Sequence, residues 1–138
     1  MTTRRLVVLL LLLAAGFMVY RLGLDNPPST APGGALVDVR LPDLGPEEMH
    51  GEAVFKLNCA ACHGVNAVGI EGRGPPLVHR IYEPSHHADA AFVLAVRNGV
   101  RSHHWRFGDM PPVDGVTPQQ VDAIIAYIRA LQRANGIL

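Results

Sequence analysis

The stretch NCAACHGVNAVG, residues 58–69, holds both cysteines of the chain, Cys59 and Cys62, and sets His63 directly after the second. Two sulfurs three positions apart beside an imidazole suit one of three chemistries: a redox dithiol, half of a zinc site, or covalent attachment of a haem. The flanking sequence decides among them. A redox dithiol opens a helix in a strand–helix–strand setting, where the helix dipole lowers the pKa of the first thiol. Here an amphipathic pattern precedes Cys59 and no strand does. A structural zinc site needs four ligands, usually with a second Cys or His pair at short spacing. The other histidines include two adjacent pairs, His86-His87 and His103-His104, which match that spacing poorly. The full string Cys59-Ala60-Ala61-Cys62-His63 is the attachment signature of one c-type haem. Two thiols on one turn reach two vinyl groups along one porphyrin edge, and His63 then lies beneath the iron.

A second iron ligand follows by elimination among four methionines. Met1 is the start and Met18 lies in an apolar run. Met49 falls on the helix that leads into Cys59, roughly 15 Å from it along the axis. Met110 remains, in the loop sequence FGDMPPV, where Pro111 and Pro112 keep the backbone out of helix. A thioether is a standard axial ligand that raises the reduction potential. His63 and Met110 are therefore the expected axial pair.

The chain has 138 residues, enough for one domain with a core. Twelve Lys plus Arg balance twelve Asp plus Glu, which leaves no basic excess for a nucleic-acid partner. Two cysteines cannot form a disulfide framework. Arg4 and Arg5 precede an apolar run from Leu6 to Tyr20, roughly 22 Å as a helix and roughly 28 Å if extended to Leu24. Residues 1–24 thus read as a membrane anchor or a signal peptide. Either element leaves the arginines in the cytoplasm and exports the rest. The expected location is the inner membrane with the head in the periplasm, or the periplasm after cleavage. Residues 25–46 are rich in Pro and Gly and read as a linker.

From residue 47 to 138 the head reads as all-α. A first helix starts at Pro46-Glu47-Glu48 and runs into the cysteines. A second has Asp89 as its cap and Gly99 at its end. The last begins at the Thr117-Pro118-x-Gln120 capping box, repeats Val121, Ile124, Ile125, Ile128 and Leu131, and stops at Asn135-Gly136. Loops 63–87 and 100–116 are long for so small a domain. Three helices with such loops make a thin core unless something large and apolar fills the middle.

CAACH, GPPL at 74–77, DMPP and the amphipathic last helix with Tyr127 together resemble a class I cytochrome c, and the whole chain resembles the membrane-anchored monohaem cytochromes of bacterial respiratory chains. The resemblance implies a one-electron carrier, not an enzyme. Its donor and acceptor would be membrane or periplasmic redox proteins. It also implies that the Pro75 carbonyl accepts a hydrogen bond from Nδ1 of His63, and that the first and last helices cross at Gly51, Phe55 and Tyr127. One departure is clear: many such carriers dock through lysines, and Lys56 is the only lysine here.

Arg80, Tyr82 and Trp105 are expected to pack on the haem or hold its propionates, since arginine suits carboxylates and a buried indole N–H needs an acceptor. Glu71, Arg73, Arg97, Arg129 and Arg133 read as solvated charges. His50 and His79 read as surface or loop residues. The paired histidines admit two readings. They cap helices, bond propionates or sit at the surface; or they bind copper or another metal, or His103 or His104 rivals Met110 for the iron. A helix of about 15 Å separates the pairs, so a shared site needs folded-back loops. The functional alternatives are a haem sensor or peroxidase-like enzyme with a displaceable distal ligand, and a histidine-rich metal-handling module.

Overall fold

The computed structural model describes Leu13 and residues 33–138. The expected anchor or signal peptide lies outside the described residues apart from Leu13. Among them, no helix is long and apolar enough to cross a membrane. Residues 33–138 form four helices: α1 (Pro46–Asn58), the single turn α2 (Ala60–His63), α3 (Asp89–Asn98) and α4 (Pro118–Ala134), with 3-10 turns at Val65–Ala67 and Arg80–Tyr82. Extended pairing among the described residues is limited to two isolated bridges, Ile70 with Gly74 and Val100 with Met110. The all-α expectation for the head agrees.

The helix ends follow their local chemistry. Pro46 opens α1 with Glu47 and Glu48 in its first turn. Thr117 and Gln120 make the reciprocal capping box of α4. The start of α3 corrects one expectation. Ala88 is the cap and Asp89 the first helical residue, with no side-chain cap. The Asp89 carboxylate instead accepts a bond from Nε of Arg129 at 2.8 Å.

The two long helices, α1 and α4, pack on each other more extensively than any other pair. Their contact is Gly51, where an added Cβ would stand 1.9 Å from the Ala123 carbonyl oxygen. With only hydrogen there, the backbones approach closely and Phe55 meets Tyr127 with ring centroids 5.6 Å apart and tilted by 56°. Phe55, Tyr127, Ile128 and Leu131 are almost wholly buried. The crossing that the family resemblance implied is present at these residues.

Arg129 is not a solvated charge. Its side chain is 9% exposed. Nη1 donates to the Tyr82 carbonyl at 2.7 Å and to Oε1 of Gln132 at 2.6 Å, while Nη2 donates to the His87 carbonyl at 2.5 Å. The guanidinium also lies 5.0 Å from the centre of the Phe92 ring. Gln132, 1% exposed, donates to the Leu77 and Tyr82 carbonyls. This pair on α4 satisfies backbone acceptors of the long 63–87 loop, which has no ladder of its own to do so. Arg129→Ala is expected to destabilise the domain by roughly 2–4 kcal/mol, since each orphaned buried acceptor costs about 1–3 kcal/mol. A lower urea midpoint at unchanged m-value would register it; an unchanged midpoint would show that water replaces the guanidinium without loss.

Residues 33–44 of the expected linker lie along the domain. Leu36 and Val37 donate to the Val68 carbonyl at 3.1 and 3.3 Å, and Arg40 exchanges two bonds with the Asn135 side chain. Val39 and Leu44 pack on the core.

Candidate functional site

One apolar cavity of about 360 Å³ opens between α1, α3, α4 and the two long loops. The residues that line it include Cys59, His63, Pro75, Tyr82, Trp105 and Met110. Cys62 sits at the surface beside it, packed against Gly74, where any Cβ would stand 2.7 Å from the Cys62 carbonyl oxygen. Arg80 is exposed and does not line the cavity, unlike Tyr82 and Trp105.

His63 closes α2 and is 9% exposed. Its Nδ1 lies 2.9 Å from the Pro75 carbonyl. A carbonyl only accepts, so the proton is on Nδ1 and the lone pair is on Nε2. Burial pushes the His63 pKa below its ordinary value, with the Pro75 bond opposing. The ring is thus held in one orientation, with the Nε2 lone pair available to coordinate.

The cysteines answer the other two chemistries. Burial, followed by the proximity of Cys62, pushes the Cys59 thiol up to about 11. A catalytic dithiol needs the opposite shift. Among the described residues, no cluster of three or more metal-binding side chains includes either cysteine. A zinc ion held by the two cysteines would find no further ligands among the described residues.

Met110 enters the cavity from a loop closed by reciprocal bonds with Val100, both 2.9 Å. Gly99, at φ +72, allows this closure, because a Cβ there would stand 2.4 Å from the Met110 carbonyl oxygen. Val113 adds a third tie, to Val96 on α3. The loop is anchored at its base rather than hinged.

Two features of the cavity call for a large apolar guest with polar ends. Helix α3 carries Phe92, Leu94, Ala95 and Val96 along the cavity, yet none of its residues is buried. Trp105 Nε1 is buried with no acceptor. The indole counteracts the rise of the nearby Tyr82 phenol, which burial pushes up to about 12, but their contact falls short of hydrogen-bond geometry. An orphaned donor of this kind normally has a partner that completes the site. A porphyrin with carboxylate side chains fits both features.

All four paired histidines lie at the mouth of this cavity. His87, His103 and His104 line it, and His86 Nε2 lies 3.4 Å from His104 Nε2. The loops do fold back around α3. His50 is exposed and His79 lies in a loop, as expected; His79 also accepts a bond from the Ile81 N–H and meets the edge of Trp105.

Comparison with known proteins places this geometry. The family model described as cytochrome c matches residues 49–132. Over 88 residues the chain is 34% identical to a protein of Sinorhizobium medicae named cbb3-type cytochrome c oxidase subunit FixP. That match covers 61% of this chain and 30% of the relative, so the chain spans under a third of its length. No solved structure matches significantly.

Proposed function

The chain belongs to the cytochrome c family and binds a c-type haem covalently, and from that premise we propose that it is a one-electron carrier with His63 and Met110 as axial ligands. One observation carries this reading. His63, preset with its Nε2 lone pair free, and Met110, on a loop tied down at both sides, line the same apolar cavity as Cys59. The bound haem supplies the ferric–ferrous couple, and the side chains set its potential and access. Cys59 and Cys62 are its thioether attachment points. The Pro75 carbonyl holds the His63 tautomer and raises its basicity. Trp105 offers its indole N–H to a propionate, and Tyr82 packs beside it. Phe55, Leu77, Ile124 and Ile128 exclude water from the cavity interior.

The partners are membrane or periplasmic redox proteins, in keeping with a relative named as an oxidase subunit. Residues 1–24 confine the head to the periplasmic face of the membrane or direct its export. Lys56, the single lysine, is paired with Glu52 at 2.8 Å on α1. Docking then relies on apolar contact, arginines or confinement at the membrane, which raises the effective concentration of partners there.

The test is a visible spectrum of the haem-loaded protein, oxidised and reduced, with and without carbon monoxide. The expected result is a low-spin spectrum, with the weak ferric methionine band, unaffected by carbon monoxide. A high-spin spectrum or ready carbon monoxide binding would instead indicate a sensor or peroxidase-like enzyme.

A further inference from the structure

The four paired histidines are not required by the carrier chemistry, and their arrangement has a chemistry of its own. His86 and His87 come from the turn before α3, His103 and His104 from the loop after it. The ring centroids of His87 and His104 are 5.3 Å apart, those of His86 and His104 5.2 Å, and those of His103 and His104 4.2 Å. One ring nitrogen from each of His86, His87 and His104 falls within 4.8 Å of the other two.

Two of the rings are oriented by the backbone. His87 donates Nδ1–H to the Ile81 carbonyl at 2.6 Å, and His103 donates Nδ1–H to the Arg101 carbonyl at 2.8 Å. Each is left with a lone pair on Nε2, the arrangement found behind metal-ligating histidines. The His86–His104 separation of 3.4 Å is long for a hydrogen bond between ring nitrogens. It matches the edge of a tetrahedron whose metal–nitrogen bonds are about 2.0–2.1 Å, roughly 3.3–3.4 Å.

We propose that His86, His87 and His104 bind one divalent transition-metal ion of the copper or zinc class, with the fourth position open to water or to His103. Imidazole nitrogens suit copper, zinc and nickel, and affinity along the first-row series peaks at copper. An all-nitrogen donor set disfavours calcium and magnesium, which take oxygen ligands. The ion joins the turn at residues 83–88 to the loop that carries Met110. The site does not depend on Met110 being an iron ligand, but it requires that His86, His87 and His104 are not.

Equilibrium dialysis of the untagged, full-length, haem-loaded protein against limiting Zn²⁺ or Cu²⁺ tests the assignment, with the bound metal counted separately from iron. One ion per chain is expected, and the bound Cu²⁺ should show an electron paramagnetic resonance spectrum with imidazole nitrogen couplings. His86→Ala and His104→Ala remove exposed rings, so folding is retained, as the haem spectrum would check. Each should weaken binding by more than about 100-fold, beyond the loss typical of a residue that only orients a ligand. His50→Ala should change nothing. Absence of stoichiometric binding would overturn the proposal, as would binding that survives the His86→Ala/His104→Ala double substitution. A changed haem spectrum in His104→Ala with no metal added would assign that ring to the iron, and would equally overturn it.

Discussion

Met110→Ala is expected to convert the haem-loaded protein from indifferent to reactive toward carbon monoxide, with a fall in reduction potential of at least about 120 mV. Met110 is the one methionine among the described residues that lines the cavity, and a thioether favours ferrous over ferric iron. For one electron, each tenfold loss of that preference lowers the potential by about 59 mV, and two such decades are anticipated here. The fold should survive, because Met110 contributes to its loop chiefly through backbone bonds with Val100, which alanine keeps. Redox titration and a carbon monoxide difference spectrum measure the effect. An unchanged potential would sink the Met110 assignment and make His103 and His104, which line the same cavity, the next side chains to replace.

The second large effect falls on the fold itself. Gly51→Ala is expected to destabilise the domain by on the order of 3 kcal/mol, the upper end of overpacking costs, and Gly51→Val should prevent recovery of haem-loaded protein. Helix propensity runs the other way, since alanine is better than glycine by about 1 kcal/mol in a helix interior. Geometry decides the sign. A Cβ at Gly51 meets the Ala123 carbonyl oxygen at 1.9 Å and the Ala123 carbonyl carbon at 2.5 Å. Both are backbone atoms of α4, so no rotamer change relieves the clash and the helices must separate. That separation pulls Phe55 from Tyr127 and opens the wall of the cavity. Urea midpoints for Gly51→Ala, and yield for Gly51→Val, provide the measurement; equal or greater stability in either would show that the helices shift at little cost.

The two effects differ in kind. The first changes the site and leaves the scaffold intact, while the second removes the scaffold and with it the site. Arg129 lies between them. Its bonds to the Tyr82 and His87 carbonyls hold loop segments that carry cavity residues, so its loss should lower stability before it alters the spectrum.

Covalent and local features were legible in the amino-acid order alone. CAACH is read from spacing, because attachment to one porphyrin edge demands it within a single turn. The Thr117–Gln120 box and the glycine ends of α3 and α4 were equally legible, since their hydrogen bonds span three or four residues. Met110 could be nominated because the chain offers few alternatives. The family resemblance supplied the His63–Pro75 bond and the α1–α4 crossing, where local periodicity alone could not choose partners. The tertiary structure decided what depends on long-range return of the chain. Asp89 resembles a cap in sequence, but its carboxylate meets Arg129, 40 positions away. Arg129 and Gln132 interrupt the apolar stripe of α4, and a polar pair there was the available signal of a buried hub. The histidine pairs look separated by a helix; they meet because the loops on both sides of α3 close over the same cavity. Such closure is determined by packing around that cavity and by carbonyls in need of donors, neither of which has a period along the chain.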